Sequence, residues 1–226
     1  MKIKYFGHMA VLIETQGKKL LFDPLITDNP LIAGKVKPDQ IKADYILLTH
    51  AHFDHLGDTE KIARQNNSLI ISSAEIVGYF QKKGIQGHPL NCGGKWKFEF
   101  GTVKMVNAIH SSSFPDGTYG GPASGFILFI ENKVVYFAGD TAVTKDMEIW
   151  GSMYNIYLSF LPVGDNFTMD VEEALLAAKF LKTKKVIPVH YNTWPLIQVN
   201  ISEIKQKFVQ NGFDCIVMEP LSEIEL

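Results

Sequence analysis

Three histidines and one aspartate lie within six positions of the segment LLTHAHFDH, residues 47–55. The whole chain has only seven histidines. Successive side chains of an extended segment point to opposite faces, so His50 and His52 face the same side. Asp54 and His55 follow in a turn that can bring them back toward the same point. Imidazoles with a carboxylate suit divalent Zn, Mn, Fe or Ni and suit Ca or Mg poorly, so the segment is predicted to bind transition-metal ions.

Four apolar runs each end on a residue that can bind a metal. DYILLT leads into His50, VKMVNAI into His110, VVYFAG into Asp140 and KVIPV into His190. In sheets covered by helices, sites form where strands end, because the backbone there is rigid and still open to a ligand. We therefore expect these four strand ends to converge.

Together these positions supply enough ligands for two ions. They divide into two groups and one bridging carboxylate: His50, His52 and His110 for the first ion, Asp54, His55 and His190 for the second, and Asp140 between them. Seven ligands leave room for water at two ions, which is typical of a catalytic site rather than a closed structural one. Asp54, Asp140 and His190 are predicted to act most directly in the reaction.

The elements that must position these residues form two β-rich blocks with helices between and after them. The first block contains KIKYFG, AVLIET, KLLFDPLI and DYILLTH, and the second contains WKFEFGTVKMVNAIH, GFILFIENK and VVYFAGD. Helices are predicted at 59–66, at 74–84 with Ser73 as cap, and from a capping Asp170 through the lysines near 185. The strand KVIPVHY, a helix over ISEIKQKFVQNG and a last strand over FDCIVME complete the chain. No Pro/Ser linker interrupts it, which indicates a single domain over residues 1–226.

Composition limits the class of protein. Hydrophobic residues make up 46% and charged residues 20%, and the formal net charge is -2. This balance offers no basic field for nucleic acid, and no apolar run reaches the roughly 18 residues of a membrane span. The N-terminal segment lacks a signal-peptide cleavage site, and Cys92 and Cys215 are too few for a disulfide framework. We expect a cytoplasmic protein that acts on a small molecule and binds neither nucleic acid nor membrane.

Several motifs resemble those of the metallo-β-lactamase superfamily in order and spacing. They are THAHFDH at 49–55, His110 after a strand, GDT at 139–141 and PVHY at 188–191. FGHMAVLIE near the start, PVGDNFTM at 162–169 and VIPVHYNTWP at 186–195 are similar to its small prokaryotic branch of metal-dependent hydrolases, which is related to ascorbate-6-phosphate lactonase. The resemblance spans essentially the whole chain. It implies an α/β fold, a four-layer αβ/βα sandwich of two mixed sheets with outer helices, and a homo-oligomer.

The expected activity follows from the metal pair. Two divalent ions lower the pKa of a shared water and hold a hydroxide facing the substrate. Zn or Mn is the preferred metal, and Fe or Ni is the alternative. We expect a hydrolase that attacks an ester, a lactone or a phosphodiester. Arg64 is the only arginine, which weakens the case for an arginine-clamped phosphate. Two alternatives stay open: a non-catalytic metal-binding protein, and a redox di-iron member of the same fold, for which an acidic residue in place of His52 is expected.

Other residues are candidates for supporting roles. Asp23, in FDP, either orients a ligand imidazole or fixes the turn before Pro24. His8 ends the first strand and either faces the site or is an ordinary core or surface histidine. His88 is expected to be structural or solvated in a turn. Four aromatic residues are candidates for the pocket lining or for the core: Tyr119, Phe167, Tyr191 and Trp194.

Overall fold

The computed structural model describes all residues, 1–226. Its strands are β1 (Lys2–Gly7), β2 (Ala10–Thr15), β3 (Lys18–Phe22), β4 (Tyr45–Leu47), β5 (Leu69–Ser73), β6 (Gly87–Leu90), β7 (Lys95–Phe98), β8 (Gly101–Asn107), β9 (Ser124–Ile130), β10 (Lys133–Phe137), β11 (Ile156–Pro162), β12 (Lys185–Val189), β13 (Asp214–Cys215) and β14 (Glu223–Glu225). Its α-helices are α1 (Phe53–Leu56), α2 (Thr59–Asn66), α3 (Ala74–Gln81), α4 (Asp146–Met153), α5 (Val171–Leu181) and α6 (Ile201–Gln210). No helix is long and apolar enough to cross a membrane.

The strands form two seven-stranded sheets. The order is β14-β1-β2-β3-β4-β5-β6 in the first sheet and β13-β12-β11-β10-β9-β8-β7 in the second. In the first sheet, β1 to β3 pair antiparallel and β3 to β6 pair parallel. In the second, β7 to β10 pair antiparallel and β10 to β13 pair parallel. Both sheets are therefore mixed, as the resemblance implied.

Three apolar cores hold the layers together. The core between the facing sheets contains 25 buried residues, and within it the rings of Phe22 and Phe137 stack with centroids 4.4 Å apart. A second core packs α2 and α3 against the outer face of the first sheet. A third packs α4, α5 and α6 against the outer face of the second sheet. The layers run helix, sheet, sheet, helix, which confirms the expected four-layer αβ/βα sandwich.

Helix α5 illustrates how the local sequence sets an element. The carboxylate of Asp170 accepts a hydrogen bond from the backbone N–H of Glu173 over 2.8 Å, so Asp170 is the predicted N-cap. The predicted C-terminal end is wrong by several residues, since the helix ends at Leu181. Lys182 takes a left-handed conformation with φ of 49°, which turns the chain toward β12.

Other sequence predictions differ from the structure at strand ends. The run FDCIVME forms only the two-residue β13, and β14 instead pairs with β1 at the edge of the first sheet. His88 does not lie in a turn but in β6, which pairs parallel with β5. Strand β4 ends at Leu47. The backbone N–H of Leu48 still donates to Ile71 on β5, and that of Thr49 donates to the side chain of Asp23.

Candidate metal centre

Loops that follow strands of both sheets meet around the carboxylate of Asp140. This side chain is buried, and its Oδ2 lies 2.9 Å from Nε2 of His190, 3.3 Å from Nε2 of His55 and 3.7 Å from Nε2 of His110. His110 follows β8, Asp140 follows β10 and His190 follows β12, whereas His55 lies in α1, beyond β4. The strand ends therefore converge as their sequence pattern predicted.

The side chains that can bind metal form overlapping groups. In each group the ligand atoms all lie within 4.8 Å of one another: His50, His52 and His110; His8, Asp54, His55 and His190; and His50, His55 and Asp140. All seven candidates from the sequence are thus brought together. The first predicted set forms one group and the second forms another, and a third group of His50, His55 and Asp140 connects them. Asp140 lies between the sets, and His8 joins the second one.

The buried carboxylate of Asp23 orients two of the imidazoles. Its Oδ2 accepts hydrogen bonds from Nδ1 of His55 over 2.8 Å and from Oγ1 of Thr49 over 2.7 Å. The same Thr49 oxygen lies 3.0 Å from Nδ1 of His50 and accepts its proton. Both imidazoles therefore carry the proton on Nδ1 and present Nε2 to the centre of the site. The structure places Asp23 against a ligand imidazole, one of the two roles considered for it.

The electrostatics of the site call for added positive charge. Asp23, Asp54 and Asp140 are buried, and their only ion-pair partners are imidazoles. Burial raises the pKa of Asp140, but the charges of His190 and His55 outweigh this and hold it well below its usual range. A buried charge needs a partner or a metal. Without a lysine or arginine, that partner is a protonated imidazole or a cation.

Unpartnered atoms support a cation. Seven buried polar atoms have no hydrogen-bond partner, and three of them cluster at this site: Nε2 of His55, Oδ1 of Asp140 and Nδ1 of His190. Orphaned buried polar atoms are rare in folded proteins and call for an explanation such as an ion. All three belong to the predicted ligands, and imidazole with carboxylate is a donor set for divalent transition metals. The residues fit such ions.

A cavity of about 510 Å³ opens over the ligands. It is lined by His52, Phe53, Asp54, His110, Ser111, Asp140, Phe167, His190, Trp194, Leu196 and Ile197. Two of the four aromatic candidates, Phe167 and Trp194, line it. Tyr191 instead packs in the core beneath α5 and α6, and Tyr119 is exposed outside the lining.

Sequence reasoning did not identify several residues that contact the predicted ligands or His8. Thr49 bridges Asp23 and His50, Ser111 lies with its Oγ 3.3 Å from Nε2 of His52, and Thr193 contacts the ring of His8. Each adjoins or closely follows a ligand in the chain, which is the one signal that the sequence offered for them. His8, left open as a core or site histidine, is fully buried within the second group.

The comparisons with known proteins agree with this geometry. The beta-lactamase superfamily domain matches residues 18–191. A UPF0173 metal-dependent hydrolase of Flavobacterium johnsoniae is 49% identical over 226 residues, 100% of both chains, and the UPF0173 metal-dependent hydrolase YtkL of Bacillus subtilis is 47% identical over 203 residues, 88% of both. The structure of Igni18, a metallo hydrolase from Ignicoccus hospitalis, superimposes with a TM-score of 0.91 at 38% identity, covering 100% of this chain and 98% of that one. The chain therefore belongs to the beta-lactamase superfamily, as a metal-dependent hydrolase of the UPF0173 family.

Proposed function

We propose that this hydrolase uses two divalent transition-metal ions to cleave uncharged esters or lactones that carry an apolar group. The observation that carries the two-ion proposal is the position of Asp140. Its Oδ2 lies between the imidazoles of both ligand groups, at 2.9 Å from His190 and 3.7 Å from His110. A carboxylate in that position can bind two ions at once.

Seven residues would hold the ions: His50, His52 and His110 at the first, Asp54, His55 and His190 at the second, and Asp140 at both. When bound, the ions supply Lewis acidity, which lowers the pKa of a water and stabilises negative charge on the substrate oxygen. The Nδ1 protons of His50 and His55 are fixed by Thr49 and Asp23. Nε2 of each ring therefore faces the centre, and no rotamer change is needed for it to bind an ion.

Asp54 is the residue of the chain that would accept a hydrogen bond from the attacking water. This carboxylate lines the cavity. Burial raises its pKa, but the charge of His55 and hydrogen bonds from His190, His55 and His8 outweigh burial and lower it below the usual range. Asp54 is therefore ionised at neutral pH and can accept a hydrogen bond from the water, which orients the water toward the substrate carbonyl.

The cavity lining favours an uncharged, partly apolar substrate over a phosphodiester. Five of the lining residues are apolar: Phe53, Phe167, Trp194, Leu196 and Ile197. No lysine or arginine is among them, and Arg64 pairs with Glu60 on α2. Side chains that recognise a phosphate are most often arginine or lysine, so a phosphodiester would have to rely on the metal ions alone for its charge, whereas an apolar ester gains contacts with the lining.

Metal content and substrate preference test this proposal together. The wild type, purified without an affinity tag, is compared with Asp140→Ala and with Asp39→Ala, an exposed acid in the turn Pro38–Gln40 that belongs to none of the ligand groups. We expect about two divalent ions per chain in the wild type and in Asp39→Ala, and a clear loss in Asp140→Ala. With the metal found, kcat/KM for p-nitrophenyl butyrate should exceed that for bis(p-nitrophenyl) phosphate by at least about tenfold.

Two outcomes would contradict the proposal. A wild-type chain that stays empty after incubation with Zn and Mn refutes metal-dependent hydrolysis by these residues. A metal-loaded chain that prefers the phosphodiester refutes the substrate class while leaving the two-ion site intact.

The metal, the compartment and the assembly are further parts of the proposal. Five imidazoles and two carboxylates support Zn or Mn, with Fe or Ni next. Cys92 and Cys215 are both unpaired thiols, which supports a cytoplasmic location. A homo-oligomer stays a prediction from the family resemblance, and light scattering of the purified chain measures it.

A further inference from the structure

His8 occupies an unusual position at the turn between β1 and β2. It is fully buried and has a φ of 58°, in the left-handed region that a histidine adopts at a cost. Its ring lies 4.1 Å from the ring of His190 and 4.8 Å from that of Trp194, measured between centroids. A residue persists in such a conformation only where its surroundings hold it there.

The hydrogen bonds of its ring fix its tautomer. Nε2 lies 3.0 Å from Oδ2 of Asp54, and Nδ1 lies 2.9 Å from Oγ1 of Thr193. An ionised carboxylate only accepts, so Nε2 of His8 is the donor to Asp54. Nδ1 is then the acceptor, and the hydroxyl of Thr193 donates to it.

This pattern separates His8 from the other histidines of its group. Both of its ring nitrogens are satisfied by protein atoms, whereas His55 and His190 each have a buried ring nitrogen without a partner. A metal ligand needs a free lone pair, and His8 has none. The ring therefore holds a ligand rather than acting as one.

The backbone of His8 holds a second ligand. Its carbonyl oxygen accepts a hydrogen bond from the N–H of His190 over 2.9 Å and another from the hydroxyl of Tyr5 over 3.1 Å. His190 itself has a left-handed φ of 55°. His8, from the first sheet, thus restrains Asp54 through its side chain and His190, from the second sheet, through its backbone.

We propose that His8 and Thr193 form a clamp that positions Asp54, and that this clamp sets the affinity of the second metal position. The proposal rests on the two-ion site described under the proposed function. It assigns His8 as a positioning residue: its imidazole acts through the carboxylate and touches neither ion nor substrate.

The test titrates Co²⁺ into metal-free protein and follows the visible spectrum and the stoichiometry, so that its readout does not depend on activity. His8→Asn tolerates a positive φ and keeps an amide near the position of Nδ1, but it is too short to reach Asp54. In His8→Gln the side-chain amide nitrogen is as many bonds from the backbone as Nε2 of the histidine. It can therefore reach Asp54 and donate to it. Thr193→Val removes the hydroxyl, and Thr193→Ser keeps it. His88→Gln, on β6, is the matched control.

We expect the wild type and His88→Gln to bind two Co²⁺ with the same spectrum. His8→Asn should bind the second ion about 10- to 100-fold more weakly, as is typical when a partner of a metal ligand is lost. Thr193→Val should weaken it to a smaller extent. His8→Gln and Thr193→Ser should restore both the affinity and the spectrum, which a merely structural role for His8 would not predict.

Two results would overturn the clamp. If His8→Asn binds the second ion like the wild type, His8 does not position Asp54. If His8→Gln is as weak as His8→Asn while thermal melting shows both to be folded, the imidazole itself is required as a ligand. The wild-type stoichiometry separately tests the proposed function, because a wild type that binds one ion or none refutes the two-ion site whatever the variants do.

Discussion

Nδ1 of His55 donates to Oδ2 of Asp23 over 2.8 Å, and both side chains are fully buried. The same oxygen accepts the hydroxyl of Thr49, which in turn accepts Nδ1 of His50. One carboxylate outside the ligand set therefore fixes the proton positions of two imidazoles, one in each ligand group.

Replacing Asp23 should weaken metal binding without removing a ligand. In Asp23→Asn the side chain keeps its size, but its one carbonyl oxygen replaces two carboxylate oxygens. An NH2 donor then faces either the backbone N–H of Thr49 or the pair formed by Nδ1 of His55 and the Thr49 hydroxyl. We expect metal affinity to fall about 10- to 100-fold, measured by competition with a chromophoric chelator. Asp39→Asn, an exposed control, should bind like the wild type, and equal affinity in Asp23→Asn would show that Asp23 serves only the turn before Pro24.

Metal loading should release protons at neutral pH. Burial lowers the pKa of His190, but Asp140 and Asp54 outweigh it and raise the pKa to about 9, and the pKa of His55 is raised well above its ordinary value by Asp140, Asp54 and Asp23. A metal binds the deprotonated imidazole, so below pH 9 protons compete and apparent affinity rises as pH increases. Calorimetry in buffers of different ionisation enthalpy should report about one to two protons released per chain at pH 7. A heat independent of the buffer would contradict this protonation pattern.

A methyl group at Gly164 should displace His190. A Cβ built on Gly164 would lie 2.1 Å from the carbonyl oxygen of His190, a backbone atom that cannot rotate away. We expect Gly164→Ala to lower the free energy of unfolding by about 1–3 kcal/mol and to lose the second ion. Denaturant unfolding and metal analysis check both effects.

Gly78→Ala is the control for that experiment. Gly78 lies within α3, with no atom within 4 Å of an added Cβ. Alanine there should leave metal content unchanged and raise the free energy of unfolding by roughly 0.5–1 kcal/mol, because it restricts the unfolded chain and favours the helix.

Normal metal content in Gly164→Ala would contradict the prediction for Gly164. It would show that the loop after β11 moves to accommodate the methyl group.

Truncation of Trp194 should remove the preference for apolar substrates. Its ring lies 5.9 Å from that of Phe53 in the cavity wall. Each buried methylene of a substrate contributes about 0.8 kcal/mol, so kcat/KM should rise about fourfold per methylene from acetate to hexanoate esters of p-nitrophenol. In Trp194→Ala this slope should flatten, whereas Val209→Ala, an exposed apolar residue on α6, should keep it. An unchanged slope in Trp194→Ala would place the acyl chain elsewhere.

The sequence by itself determined the ligand types and their positions at the ends of strands. The motif THAHFDH and the strand-end positions of His110, Asp140 and His190 depend on local patterns, because a buried strand is a continuous apolar run and the residue after it lies at the sheet edge. Helix α5 could also be predicted from local patterns, namely its apolar stripe and its capping Asp170.

The tertiary structure alone decided which distant side chains support those ligands. His8 and Thr193 are 185 residues apart, and Asp23 and His55 are 32 apart. The first pair forms only when the two sheets pack. The second forms when the segments after the neighbouring strands β3 and β4 meet, and no local periodicity encodes either contact. The ends of short elements such as β4 and β13 were likewise set by hydrogen bonds to neighbouring chain segments rather than by their own residues.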